Sequence, residues 1–322
     1  MPHVLVAGKI HPAGLDLLRR SPGVTFDYVE EVSTPSYAPL IGRADGLVIR
    51  TQPLTAAEIG AAPRLAIVSR HGVGYDAVDV AALDARGIPL AIVSDVNSQS
   101  VAEHALMLML ALAKRVTTHD SAVHAGDWAY RNKFDCFELA GKQLLVVGFG
   151  RIGRKVAAFA KALAMEVAAH DPVVGDAPMS ALGVAPVHDL QAALAAADVI
   201  TLHVPLLGRQ PLIGVAELAR MKPTALLVNT ARGGLIDEAA LAAALAEGRL
   251  GGAGIDVLAD EPPAPNHPLL ASGRAILTPH TAGLSQESAL RMSVSSVQNV
   301  LDFFAGRLDA ALVVNRPKQR NG

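Results

Sequence analysis

Three apolar segments in the second half of the chain each run into a polar residue able to do chemistry. ALLVN leads to Arg232, GAGID to Glu261 and RAILT to His280. Open parallel sheets bind ligands beyond the carboxyl ends of their strands, and an arginine placed there can clamp a carboxylate. Upstream, QLLVVG runs into Gly148-Phe149-Gly150-Arg151-Ile152-Gly153 and then a helical stretch, the context of a dinucleotide-binding fingerprint. Gly148 would allow the tight turn, Gly150 the approach of backbone to a pyrophosphate and Gly153 the packing of helix on strand. The helix N-terminus, opening at Arg151 and Ile152, favours the phosphate charge. Asp171 ends the next apolar segment, MEVAAHD. A carboxylate there accepts ribose hydroxyls and repels a 2'-phosphate, so NAD is expected over NADP, although His170 beside it pulls the other way.

The elements that must position these residues repeat one scheme. In the first hundred residues VLVAG, GLVIR, LAIVSR and PLAIV alternate with helix-like stretches at 16–20 and 78–86. A second series begins at Gln143, with six strand candidates separated by alanine-rich helices. Such alternation predicts parallel sheets with crossover helices, here two doubly wound α/β units in tandem. Between them, 98–115 predicts a long helix, with Ser100 and Glu103 as a capping box and apolar residues on most sides. Residues 285–304 carry apolar side chains at helical spacing, and a helix there could return the chain to the first unit.

Composition sets limits. With 322 residues, 51% of them hydrophobic, the chain can bury the cores of two domains. A net charge of -2 without like-charge runs argues against nucleic acid as a partner, and the basic tail at Arg316, Lys318 and Arg320 reads as a solvated end. The single cysteine, Cys136, rules out an intrachain disulfide and suits a reducing compartment. No basic leader precedes VLVAG, and the longest apolar run, 105–113, is far below membrane length, so a soluble cytoplasmic protein is expected. No HxxxH pair or comparable ligand spacing appears, and no metal is expected.

Five segments taken together resemble the D-isomer-specific 2-hydroxyacid dehydrogenase family: NSQSVAEHALMLMLALAKR (97–115), ELAGKQLLVVGFGRIGRKV (138–156), LARMKPTALLVNTARGGLIDEAAL (218–241), GIDVLADEPP (254–263) and LTPHTAG (277–283). The resemblance covers nearly the whole chain. It implies a Rossmann NAD domain, 98–286, inserted into a flavodoxin-like substrate domain made of 1–97 and 287–322. It also implies NAD as cofactor, a small 2-hydroxy or 2-keto acid as substrate, a homodimer, and Arg232, Glu261 and His280 as the catalytic set. In such a reaction a proton moves on or off the substrate oxygen as hydride moves at the α carbon, which suits His280 as general acid and base. Glu261, bonded to the other imidazole nitrogen, would fix the tautomer and favour the imidazolium. Arg232 would hold the carboxylate and polarise the carbonyl. By the same resemblance Asp256 contacts the nicotinamide carboxamide, and His203, Pro205 and Thr230 lie near the cofactor.

At the substrate end, Arg70-His71-Gly72-Val73-Gly74 follows LAIVS, and its glycines expose backbone amides able to bind a carboxylate, as the family uses them. Arg50 and Arg70 match arginines that phosphoglycerate dehydrogenases place near substrate, which leaves a dianionic acid open. Arg131 is read as reaching the same pocket across a dimer. The chain departs from the family pattern at His71, where a small residue is usual, at Ala164, where glycine is common, and in a short loop at 206–210. A chain ending at Gly322 is not expected to carry a C-terminal regulatory domain or serine feedback. The alternative class is a corepressor-like scaffold that shares fold and catalytic residues and binds NAD without turnover; the lack of long disordered flanks counts against it.

Overall fold

The computed structural model describes residues 1–208 and 210–315; Arg209 and the basic tail from Arg316 lie outside the described residues. The chain divides into two compact units, Met1–Asn97 with the segment from Leu284 onward, and Ser98–Gly283. The second part of the first unit begins at Leu284, three residues before the expected 287, and its helix, Gln286–Phe304, is capped by Ser285, whose Oγ accepts from the Ser288 amide.

The first unit is a parallel sheet of β1 (His3–Ala7), β2 (Thr25–Val29), β3 (Gly46–Ile49), β4 (Ile67–Arg70) and β5 (Leu90–Ala91), in the order β2-β1-β3-β4-β5. Strands covered on both faces need continuous apolar runs, and β3 and β4 are buried at every position. Strand order reverses between β1 and β3, so the crevice of this unit opens at Gly8 and Arg50. The helix Gln286–Phe304 covers one face, with Val297 and Val300 in a cluster with Val4, Val6, Val48 and Ile67. Beyond it the chain finishes the sheet edge, Ile92 donating to the Leu312 carbonyl and the Leu90 amide to Asn315 Oδ1 at 2.7 Å. The helix candidates 16–20 and 78–86 are the helices Pro12–Arg19 and Val80–Ala85.

The second unit has seven parallel strands: β6 (Gln143–Val147), β7 (Glu166–His170), β8 (Ala185–Pro186), β9 (Val199–Leu202), β10 (Leu226–Asn229), β11 (Gly252–Ile255) and β12 (Ala275–Leu277), ordered β12-β11-β10-β9-β6-β7-β8. Its reversal lies between β6 and β9. The helix Ser98–Ala113 packs on β10 and β11, where Gly252 and Gly254 make room: a Cβ at Gly254 would stand 2.9 Å from Leu108 Cβ. The expected capping box fails. The helix already starts at Ser98, so Ser100 sits inside it and its hydroxyl donates to the Ala282 carbonyl at 2.7 Å, while Glu103 accepts from Gln99. Burial is also less complete than expected, because Glu103 and Met107 face outward. Among the described residues no helix is long and apolar enough to cross a membrane.

A Cβ at Gly46 would lie 2.7 Å from Val300 Cγ1 and 3.2 Å from Phe304 Cε2. Gly46→Ala is therefore expected to destabilise the first unit by ~1–3 kcal/mol through overpacking, read as a lower urea midpoint. An unchanged midpoint would mean that the C-terminal helix is not seated as described.

Candidate active site

The fingerprint loop is built by contacts that exclude side chains. Gly148 has φ +96, and a Cβ on it would stand 2.6 Å from the His203 carbonyl oxygen, which ties the loop to the end of β9 at the strand-order reversal. A Cβ on Gly153 would meet the Gly148 carbonyl at 2.0 Å. Gly150 differs: nothing lies within 4 Å of its Cβ position, and it caps the helix Arg151–Ala162 with no side chain of its own. Open space at the N-terminus of a three-turn helix is where a pyrophosphate is held. Asp171 binds the loop from β7, Oδ2 accepting from the Phe149 amide at 2.7 Å and Oδ1 from Val173 and Val174. Burial opposes its charge, but these amides outweigh it and hold its pKa below the ordinary carboxylate value. Two buried atoms near the reversal lack partners among the described residues, Thr230 Oγ1 and His203 Nδ1. His203 Nε2 lies 2.9 Å from Thr201 Oγ1, and burial brings its pKa down to about 3, so it is neutral. This set fits a dinucleotide: an uncapped helix end, a fixed carboxylate and orphaned polar atoms along one sheet edge.

The proposed catalytic groups follow β10, β11 and β12. His280 Nδ1 lies 2.7 Å from Glu261 Oε2, and Oε1 of the same carboxylate accepts from the Leu258 amide at 3.0 Å. Burial works against the charge of Glu261, yet the hydrogen bond and charge of His280, the Leu258 amide and Arg232 bring its pKa below the usual value. His280 has φ +53, a left-handed conformation costly for a non-glycine residue. Asp256 imposes it. Its side chain is buried, with Oδ1 accepting from the Thr278 hydroxyl at 2.5 Å and the Thr281 amide at 2.9 Å, and Oδ2 from the Ala282 amide at 2.9 Å, while its carbonyl accepts from the His280 amide. Arg232 is steadied by Asn229, whose Nδ2 donates to the Arg232 carbonyl at 2.7 Å. Its loop meets the Glu261 loop at Gly233, where a Cβ would lie 1.9 Å from the Leu258 carbonyl carbon.

Sequence reasoning missed the supports. Glu238 accepts from the Ala259 amide at 2.7 Å and pairs with His267 at 2.9 Å, holding the 258–261 loop from the helix Glu238–Ala246. The acidic pair Asp237-Glu238 marks that helix start, but only the fold brings it to Ala259. His104, on the helix Ser98–Ala113, reaches Thr278 Oγ1 at 2.9 Å. His119, Asp135 and Cys136 also gather, their candidate ligand atoms within 4.8 Å of one another, a cluster that spacing along the chain could not reveal. Arg115 pairs with Asp135 there, and the Cys136 thiol donates to the Lys114 carbonyl.

In the first unit the strand ends bring Arg50, Arg70, His71 and Gly72 to one edge, with Val73 and Gly74 following in the same loop. Arg50 Nη1 donates to the Lys9 carbonyl at 2.9 Å, and Arg70 Nη1 to the Ile49 and His71 carbonyls at 3.3 Å. Burial first, then the charges of Arg50 and Arg70, lower the His71 pKa to about 3.

Residues 106–282 match the family model described as D-isomer specific 2-hydroxyacid dehydrogenase, NAD binding domain. This chain belongs to the D-isomer specific 2-hydroxyacid dehydrogenase family. It is 36% identical to glyoxylate reductase of Korarchaeum cryptofilum, over 97% of this chain and 96% of that one. It is 38% identical to D-3-phosphoglycerate dehydrogenase of Archaeoglobus fulgidus over 98% of this chain, but it spans only 59% of that relative's length. Among solved structures, D-lactate dehydrogenase from Aquifex aeolicus, complexed with NAD and lactic acid, superposes with a TM-score of 0.88 at 27% identity, covering 98% of this chain and 100% of that one.

The two fingerprint glycines make a discriminating pair. Gly150→Ala should keep the wild-type melting temperature and lose NADH binding in a fluorescence titration, whereas Gly153→Ala should lose both. NADH binding by Gly150→Ala at wild-type affinity would remove the pyrophosphate from that position.

Proposed function

We propose that this chain is an NAD-dependent D-2-hydroxyacid dehydrogenase, interconverting a small 2-hydroxy acid and its 2-keto acid. The observation that carries the reading is the 2.7 Å pairing of His280 Nδ1 with Glu261, at the carboxyl edge of the same sheet that bears the glycine fingerprint. The backbone of Gly148, Gly150 and Gly153, with Arg151 and Ile152 at the helix start, would hold the pyrophosphate. Asp171 would take the adenosine ribose, and His203, Pro205 and Thr230 would face the nicotinamide half, whereas Asp256, expected at the carboxamide, is buried with both carboxylate oxygens bonded to the 278–282 turn and serves to position His280 instead. When bound, the nicotinamide supplies or receives the hydride at the substrate's α carbon.

The chain's own residues do the rest. His280, its Nδ1 side fixed by Glu261, presents Nε2 to the substrate oxygen; in reduction it gives up a proton there, and in oxidation it takes one. Arg232 brings a planar donor fork to the carboxylate and carbonyl, a role lysine would fill poorly. Residues 70–74 and Arg50 bind the acid from the first unit, the amides of Gly72, Val73 and Gly74 taking its carboxylate. We place the enzyme in the cytoplasm, in keeping with its single exposed thiol, and read it as a homodimer, since Trp128 and Phe134 are 70% and 88% exposed on one short segment that also carries Arg131.

His280→Gln is expected to lower kcat for keto-acid reduction by ~10²–10⁴-fold with NADH affinity retained. Turnover at wild-type rate would remove the proton-transfer assignment, and NADH binding by the wild type with no keto acid reduced would favour the scaffold reading. The pH dependence has a definite sign. The depressed pKa of Glu261 keeps it ionised into mildly acid solution, and the pairing is lost only as pH falls through that lowered value. Glu261→Gln removes the titrating carboxylate, so the acid limb of kcat/KM set by loss of that pairing should disappear while the plateau rate falls. An acid limb unchanged in the variant would mean that Glu261 does not act through His280.

A further inference from the structure

Three side chains of different chemistry converge on one atom in the segment between the helix Ser98–Ala113 and β6. His119 stands on the helix Val116–His124, and Asp135 and Cys136 follow the short helix Trp128–Lys133, which folds the chain back onto it. His119 Nε2 lies 3.1 Å from Asp135 Oδ1 and 3.7 Å from Cys136 Sγ. The candidate ligand atoms of all three lie within 4.8 Å of one another. Cys136 is the only cysteine in the chain, and it is exposed.

The arrangement is unlike a nucleophilic relay. There an imidazole uses both nitrogens, one toward the thiol and the other toward the carboxylate. Here a single nitrogen faces both, so the three donors surround one point, as a cation requires. Around tetrahedral zinc, neighbouring ligand atoms stand ~3.4 Å apart for nitrogen and oxygen and ~3.6 Å for nitrogen and sulfur. The observed 3.1 and 3.7 Å are close to that spacing. The neighbours are compatible with it. Arg115 Nε lies 3.1 Å from Asp135 Oδ2, the other oxygen of the carboxylate, which leaves Oδ1 available. The His119 hydrogen bond and then the Arg115 charge hold the Asp135 carboxyl below its usual range, so it is already an anionic donor. The Cys136 thiol donates to the Lys114 carbonyl at 3.1 Å, a bond given up with the proton when the thiolate takes an ion. Thiolate with imidazole selects zinc-like cations over magnesium or calcium.

We infer that His119 Nε2, Asp135 Oδ1 and the Cys136 thiolate form a binding site for a zinc-like divalent cation, with solvent in the fourth position. An ion held there ties the helix Val116–His124 to the segment that leads into β6. None of the three residues belongs to the proposed cofactor, substrate or catalytic set, so the inference stands apart from the dehydrogenase reading.

The test titrates the full chain, stripped with a chelator and kept reduced, with Co²⁺ as a spectroscopic probe. Saturation is expected at one ion per chain, with a thiolate-to-cobalt charge-transfer band in the near ultraviolet and the intense visible bands of four-coordinate cobalt. Zn²⁺ should displace both, and excess Mg²⁺ neither. With one cysteine in the chain, the charge-transfer band can arise only from Cys136, and it should vanish in Cys136→Ser. His119→Gln and Asp135→Asn should each weaken Co²⁺ binding at least ~10-fold, as loss of a ligand costs no less than loss of a group behind one. NADH binding by all three variants should stay at the wild-type affinity, which shows that they are folded. No charge-transfer band in excess cobalt, a weak six-coordinate spectrum, or a band formed at wild-type affinity by either His119→Gln or Asp135→Asn would overturn the inference.

Discussion

The buried carboxylate of Asp256 is the constraint on which the geometry of the His280–Glu261 pair depends. A fully desolvated carboxylate is tolerated only when its oxygens are hydrogen-bonded, and here the Thr278 hydroxyl and the Thr281 amide bond Oδ1 and the Ala282 amide bonds Oδ2, with His104 Nε2 3.6 Å from Oδ1. The same bonds force His280 into a left-handed backbone that it would not choose alone, and they aim its ring at Glu261. The strain is local and the compensation is local, so the site is built in advance of any ligand.

Around that anchor the support is layered. Gly233 lets the Arg232 loop touch the Glu261 loop, Glu238 and His267 hold the latter from below, and Gly252 and Gly254 let a buried helix bring His104 against Thr278. Glycine serves two opposite purposes in this unit. At 148, 153, 233 and 254 it removes a side chain that would collide with protein, and at 150 it leaves space that protein does not fill.

Much of this was legible in the sequence, for physical reasons. Apolar runs in parallel sheets are continuous and easily seen, so both sheets and the fingerprint followed from pattern alone. Arg232, Glu261 and His280 could be singled out because each follows a strand end. What failed was local. Ser100 looked like a helix cap, but the Ala282 carbonyl, far away in sequence, claims its hydroxyl. Glu238, His267 and His104 were invisible as supports because their partners lie 21 or more residues away and have no fixed spacing.

The most direct test of this account is the crystal structure of the Asp256→Asn variant. The amide keeps the volume but offers one acceptor oxygen where the turn needs two, so one of the Thr281 and Ala282 amides must lose its partner. The account predicts that the 278–282 turn relaxes, that His280 leaves its left-handed conformation and that the contact with Glu261 opens, while the 148–153 loop is unchanged. A variant that keeps the His280–Glu261 pair at 2.7 Å would contradict the claim that Asp256 holds the site together.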